Sequence, residues 1–119
     1  MNAATTILIP FQQYYFFTSD CGSFPREDAI SITTLLGKAL LLMAAHHPDI
    51  LQDLGFFEKQ RLRSRKTNCV QMPLGKETIS ALRSASKCGA NQVSLLARAL
   101  IREYMDLDVK ERQGILAKV

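Results

Sequence analysis

One short segment limits what this chain can fold into. Thr67-Asn68-Cys69-Val70-Gln71-Met72-Pro73-Leu74 alternates in polarity, and it is followed at once by two helical patterns separated by a glycine. Successive side chains on a strand point to opposite faces. Val70, Met72 and Leu74 therefore share one face, and Cys69, Gln71 and Pro73 share the other with Thr67. A lone strand leaves its backbone donors and acceptors unpaired and its apolar face wet, so this segment must find a partner. With no second strand candidate nearby in the sequence, the expected partner is the same strand of a second copy, antiparallel across a dimer axis.

Helical signals follow. Gly75-Lys76-Glu77 opens a helix that runs to about Lys87, with Ile79, Leu82 and Ala85/Ser86 as its apolar stripe. Gly89 supplies the left-handed position that ends it, and Asn91 caps the next helix. That second helix buries Val93, Leu95/Leu96, Ala99/Leu100 and Tyr104, and it reaches about Leu107. Arg98, Arg102 and Glu103 take its polar positions. The final residues, VKERQGILAKV, are expected to be a helix end and a tail broken at Gly114.

Charge divides the chain more sharply than its net +4 suggests. Residues 1–57 carry Arg26 and Lys38 against Asp20, Glu27, Asp28, Asp49 and Asp53, a net −3. Residues 58–119 carry 13 Lys/Arg against 6 Asp/Glu, a net +7. Five cations, Lys59, Arg61, Arg63, Arg65 and Lys66, stand just before the strand. A cationic run is ordinarily a solvated surface; the asymmetry favours a polyanion partner for this half.

Strand, helix, glycine turn and helix within about forty residues resemble the ribbon-helix-helix family of DNA-binding proteins (the Arc/MetJ type). The residues that carry the resemblance are V-Q-M-P-L, I-S-A-L-R-S-A-S-K-C-G-A-N and S-L-L-A-R-A-L-I-R-E-Y, and it covers residues 67–107. Asn91 stands where the family usually has Ser or Thr. The resemblance implies a two-stranded ribbon in the DNA major groove. Thr67, Cys69 and Gln71 would face the bases. Arg63, Arg65, Lys66, Lys76 and the Asn91 turn would meet phosphates. Val70, Met72, Leu74, Ile79, Leu82, Leu96 and Leu100 would form the dimer core. The bland alternative for Gln71 and Thr67 is a solvated outer face.

The first half speaks mainly of packing. Ile7-Leu8-Ile9, closed by Pro10, is either a short strand or an extended arm. Phe11, Tyr14, Tyr15, Phe16 and Phe17 form an aromatic cluster with no cation interleaved, so packing is preferred over base stacking. Ser23 followed by Pro25, Glu27 and Asp28 looks like a helix start, giving a broad apolar helix over residues 24–45. His46-His47-Pro48 ends it, and Asp49 caps a short helix, DILQDLGFF. At an offset of 63, Ile9-Pro10 falls on Met72-Pro73 and Ile30-Ser31 on Val93-Ser94. This hint of a tandem copy is opposed by the aromatic run at Tyr14–Phe17 and by Pro25-Arg26 at the Cys88-Gly89 position.

The fold class expected is therefore mainly α. A helical domain (residues 1–57) for assembly or partner binding is followed by a basic linker (58–66). A ribbon-helix-helix domain and tail (67–119) complete the chain. The expected function is sequence-specific binding of double-stranded DNA, as a dimer or higher oligomer. A transcriptional repressor of bacterial, phage or plasmid origin is the leading form. The alternative is a protein-interaction or DNA-accessory module, such as a plasmid transfer or segregation factor or an antitoxin, with a protein partner held through residues 1–57. The three cysteines lack framework spacing and suit a reduced, cytoplasmic protein. The N-terminal residues lack a positive n-region and are not read as a secretory signal. The longest apolar stretch falls short of the roughly 20 residues a membrane span needs. No phosphate loop, spaced metal ligands or Ser/His/Asp set points to catalysis, a metal or a cofactor.

Overall fold

The computed structural model describes residues 4–24, 30–47, 49, 68–86 and 93–119. Among these, the order is β1 (Ala4–Pro10), α1 (Phe11–Ser23), α2 (Ile32–His46), β2 (Cys69–Gly75), α3 (Lys76–Ser86), α4 (Val93–Asp106) and α5 (Val109–Lys118). Strand, helix, helix thus occurs twice, and α5 closes the chain. The protein is mainly helical with a small two-stranded antiparallel sheet. Among the described residues, no helix is long and apolar enough to cross a membrane.

The sheet corrects the expected pairing. β2 does not wait for a second copy: it pairs with β1 of its own chain, with Ile7 opposite Met72 at the centre. Ala4 stands opposite Gly75 and Pro10 opposite Cys69 at the two ends. The ladder is extended by the Phe11 N–H, which donates to the Asn68 carbonyl oxygen at 2.9 Å. That bond also satisfies one of the donors left free at the start of α1, where Pro10 offers no side-chain cap.

Alternation along both strands sends Ile7, Ile9, Met72 and Leu74 into the core and leaves Thr6, Leu8, Gln71 and Pro73 exposed. Behind the sheet, the second helix of each half packs on the strand of the other half, α4 on β1 and α2 on β2. The fully buried side chains Ile7, Ile9, Leu36, Leu40, Met43, Leu74, Leu82, Leu96 and Leu100 come from both halves. Each such burial is worth about 1.5–3 kcal/mol. One cluster holds them all. Met72, Leu74, Ile79, Leu82, Leu96 and Leu100, expected in a core between two copies, lie in the core of one chain; Val70 is half-buried against it.

Three local expectations are also corrected. The helix expected from residue 24 begins at Ile32, because Ser31 is the cap: its Oγ accepts the Thr34 N–H at 3.2 Å. Residues up to Ser23 belong instead to α1. The tail is not broken at Gly114. Asp108 caps α5, its Oδ1 accepting the Glu111 N–H at 2.9 Å, and the helix runs through the glycine to Lys118. The aromatic cluster divides. Phe16 and Phe17 pack around Tyr104, whereas Phe11 and Tyr15 are 50% and 63% exposed with ring centroids 6.1 Å apart. The short helix expected after Asp49 (residues 50–57), the basic segment 58–66 and the Gly89 turn lie outside the described residues.

A buried polar knot joins α1, α4 and α5. The Tyr104 hydroxyl donates to Asp20 Oδ2 at 2.6 Å, and Arg112 Nε donates to the same oxygen at 2.8 Å. The Arg112 guanidinium also lies 4.9 Å from the centre of the Phe16 ring and donates from Nη1 to the Leu107 carbonyl oxygen at 2.7 Å. Burial, reinforced by the hydrogen bond to Asp20, pushes the Tyr104 phenol well above its ordinary range.

Candidate nucleic-acid interface

The side of the sheet away from the core is the candidate interface. Its outward pairs are Thr6 opposite Pro73 and Leu8 opposite Gln71, with Pro10 opposite Cys69 at one end. Thr6, Gln71 and Pro73 are exposed, Leu8 is 38% exposed, and Cys69 is a half-buried free thiol. A strip with a hydroxyl, a carboxamide and two apolar side chains can donate, accept and make van der Waals contact along a groove floor.

The edges of the strip are built differently. On the β1 edge, α4 supplies a clamp. Arg98 Nε donates to the Leu8 carbonyl oxygen at 2.8 Å, and the Leu8 N–H donates to Ser94 Oγ at 3.4 Å. Both outward-facing backbone groups of Leu8 are thereby satisfied, which blunts the strand edge. Arg98 is only 6% exposed. The Gln13 side chain donates from Nε2 to the Arg98 carbonyl oxygen at 3.3 Å, tying α1 to the same turn of α4.

On the β2 edge there is an open groove of about 540 Å³ lined by Thr33, Thr34, Gly37, Lys38, Pro73, Gly75, Lys76, Glu77 and Thr78. Gly37 lets α2 approach α3 there: a Cβ at that position would sit 3.3 Å from Thr78 Oγ1 and 3.9 Å from Leu74 Cδ2. Lys38 and Lys76 are both exposed at this groove.

Of the residues expected to face bases, Gln71 and Cys69 lie on the outward face; Thr67 lies outside the described residues. Of those expected to meet phosphate, Lys76 is exposed at the start of α3, while Arg63, Arg65, Lys66 and Asn91 lie outside the described residues. Thr6, Leu8 and Lys38 were missed, and so was the clamp role of Arg98, which sequence places among the polar positions of its helix. The self-similarity at Ile9-Pro10 and Met72-Pro73 pointed to β1 but in the wrong register, since the sheet sets Ile7 with Met72. Among the described residues, no three of His, Cys, Asp and Glu come together as a metal site.

No protein-family model, curated protein sequence or solved structure matches this chain.

Proposed function

We propose that this protein binds double-stranded DNA in a sequence-specific manner, with β1 and β2 lying together in the major groove. In this reading the two strand–helix–helix halves are a pair of ribbon-helix-helix units fused in one polypeptide. A single chain then supplies the ribbon that two subunits would otherwise share. The observation that carries the reading is the outward face of the sheet, where Thr6, Leu8, Gln71 and Pro73 are exposed while the opposite face is locked into the core. A two-stranded ribbon fits the major groove, and its outward side chains are the ones that meet base edges.

Gln71 offers a donor and an acceptor to adenine, and Leu8 offers an aliphatic surface to a thymine methyl. Lys38 and Lys76 flank the ribbon and suit phosphates. The cations that precede β2 in sequence, Arg63, Arg65 and Lys66 among them, add counterion release. Occupying an operator in this way makes the protein a transcriptional repressor, and copies bound side by side add cooperativity.

Selection of bound duplexes from a random pool at two salt concentrations tests the proposal. The expected result is one enriched motif at both concentrations and affinity that falls steeply with salt. Binding indifferent to base sequence, or absent, rejects it.

A further inference from the structure

We propose that the DNA site read by this chain is asymmetric: one half selected by Gln71 with Leu8, the other selected weakly by Thr6 and anchored through Lys38 and Lys76. The inference rests on the ribbon-in-groove reading above and adds the class of duplex recognised.

An approximate two-fold axis through the central Ile7–Met72 pair exchanges β1 with β2. Under it Thr6 corresponds to Gln71, and Leu8 to Pro73. The chemical classes match, polar with polar and apolar with apolar, but the reach does not. The Gln71 carboxamide makes two bonds to one adenine, whereas the Thr6 hydroxyl accommodates any base with a single donor or acceptor. Leu8 projects a branched aliphatic chain where Pro73 holds its ring against its own backbone.

The flanks differ too. The pattern Leu35-Leu36-Gly37-Lys38-Ala39-Leu40 matches Leu95-Leu96-Ala97-Arg98-Ala99-Leu100, so the counterparts of Ser94 and Arg98 are Thr34 and Lys38. The Leu8 counterpart, Pro73, has no N–H to donate. Where buried Arg98 grips the Leu8 carbonyl oxygen, exposed Lys38 lines the open groove beside Pro73. Lys76, at the start of α3, corresponds to the exposed ring of Phe11 at the start of α1. Thr6 is opposite Pro73 at the lysine end of the ribbon, and Gln71 is opposite Leu8 at the other. Among the described residues, the stronger base contact and the lysine anchor thus fall in different halves of the site.

The test is duplex selection with the full-length protein and two surface variants, with chains per minimal duplex counted by native mass spectrometry. The expected wild-type motif is non-palindromic, holds a strong adenine preference in one half, and binds one chain. Gln71→Ala erases that preference with a loss of about tenfold or more on the selected site. Thr6→Gln, at an exposed position, converts the motif towards a palindrome. A palindromic wild-type motif, or two chains on the shortest duplex bound, overturns the asymmetry while leaving sequence-specific DNA binding intact. Enrichment of no motif at all overturns both.

Discussion

Arg98 reaches from α4 to Leu8 on β1, its Nε 2.8 Å from the Leu8 carbonyl oxygen. This contact spans the two halves of the chain and seals the edge of the sheet. Arg98→Met keeps much of the packing volume and leaves that carbonyl without its donor. The expected cost is about 1–3 kcal/mol, seen as a lower urea midpoint at unchanged slope. An unaltered midpoint would show that the clamp contributes nothing to the fold.

Tyr104 gives a pH dependence whose sign is fixed. Burial and the bond to Asp20 hold its pKa above the ordinary tyrosine value. In the unfolded chain it ionises at about pH 10, so at high pH the unfolded form releases the proton first. Its contribution is complete below that pH and is lost as the pH rises beyond it. Tyr104→Phe should cost about 1–2 kcal/mol near neutrality, and its stability should fall less steeply than the wild type's above about pH 10. Parallel curves for the two proteins would refute this role.

With β1 paired to β2 inside one chain, the sheet is complete without a second copy. The thermal midpoint should stay constant over a hundredfold range of protein concentration. Met72→Asp, which places a carboxylate opposite Ile7 in the core, should abolish cooperative unfolding altogether rather than merely separate subunits. A midpoint that climbs with concentration would mean that the ribbon is completed between copies.

Two helical glycines should respond in opposite ways. A methyl group added at Gly114 would meet nothing within 4 Å, so Gly114→Ala should stabilise α5 by about 0.5–1 kcal/mol. At Gly37 the same methyl meets Thr78 Oγ1 at 3.3 Å, and Gly37→Leu should destabilise by about 1–3 kcal/mol. Chemical denaturation of both variants decides the matter, and a stabilised Gly37→Leu would show that the α2–α3 approach is slack.

Gln71→Ala should cost about 1–3 kcal/mol of affinity on the selected duplex and relax preference at a single base position, with the salt slope unchanged. Lys76→Ala should instead weaken all duplexes alike and flatten the salt slope. Titrations at several salt concentrations separate the two behaviours. Equal affinity of Gln71→Ala for every duplex variant would remove Gln71 from base reading.

Much of the C-terminal half was legible because its patterns are clean. Val70 and Met72 alternate with Cys69 and Gln71, and the parity of β2 follows. The stripes through Ile79 and Leu82 and through Leu96, Leu100 and Tyr104 placed α3 and α4. β1 was obscured because Ile7-Leu8-Ile9 is apolar throughout, and the outward Leu8 hides the alternation. The start of α2 was misplaced because Ser23 with Pro25 and two acids imitates a cap, whereas the working cap, Ser31, is set between Ile30 and Ile32. Half of the candidate interface depended on that hidden strand. Arg98 is a different case: no local pattern announces that an arginine will be buried by a carbonyl 90 residues away in sequence.

The Ile7–Met72 pairing also has a genetic consequence. Where a ribbon is shared between subunits, a defective subunit disables each intact one it joins, and such alleles interfere dominantly. Here each polypeptide carries both strands, so a chain damaged in residues 4–10 or 69–75 spoils its own ribbon only. Strand-destroying alleles of this protein should therefore be recessive.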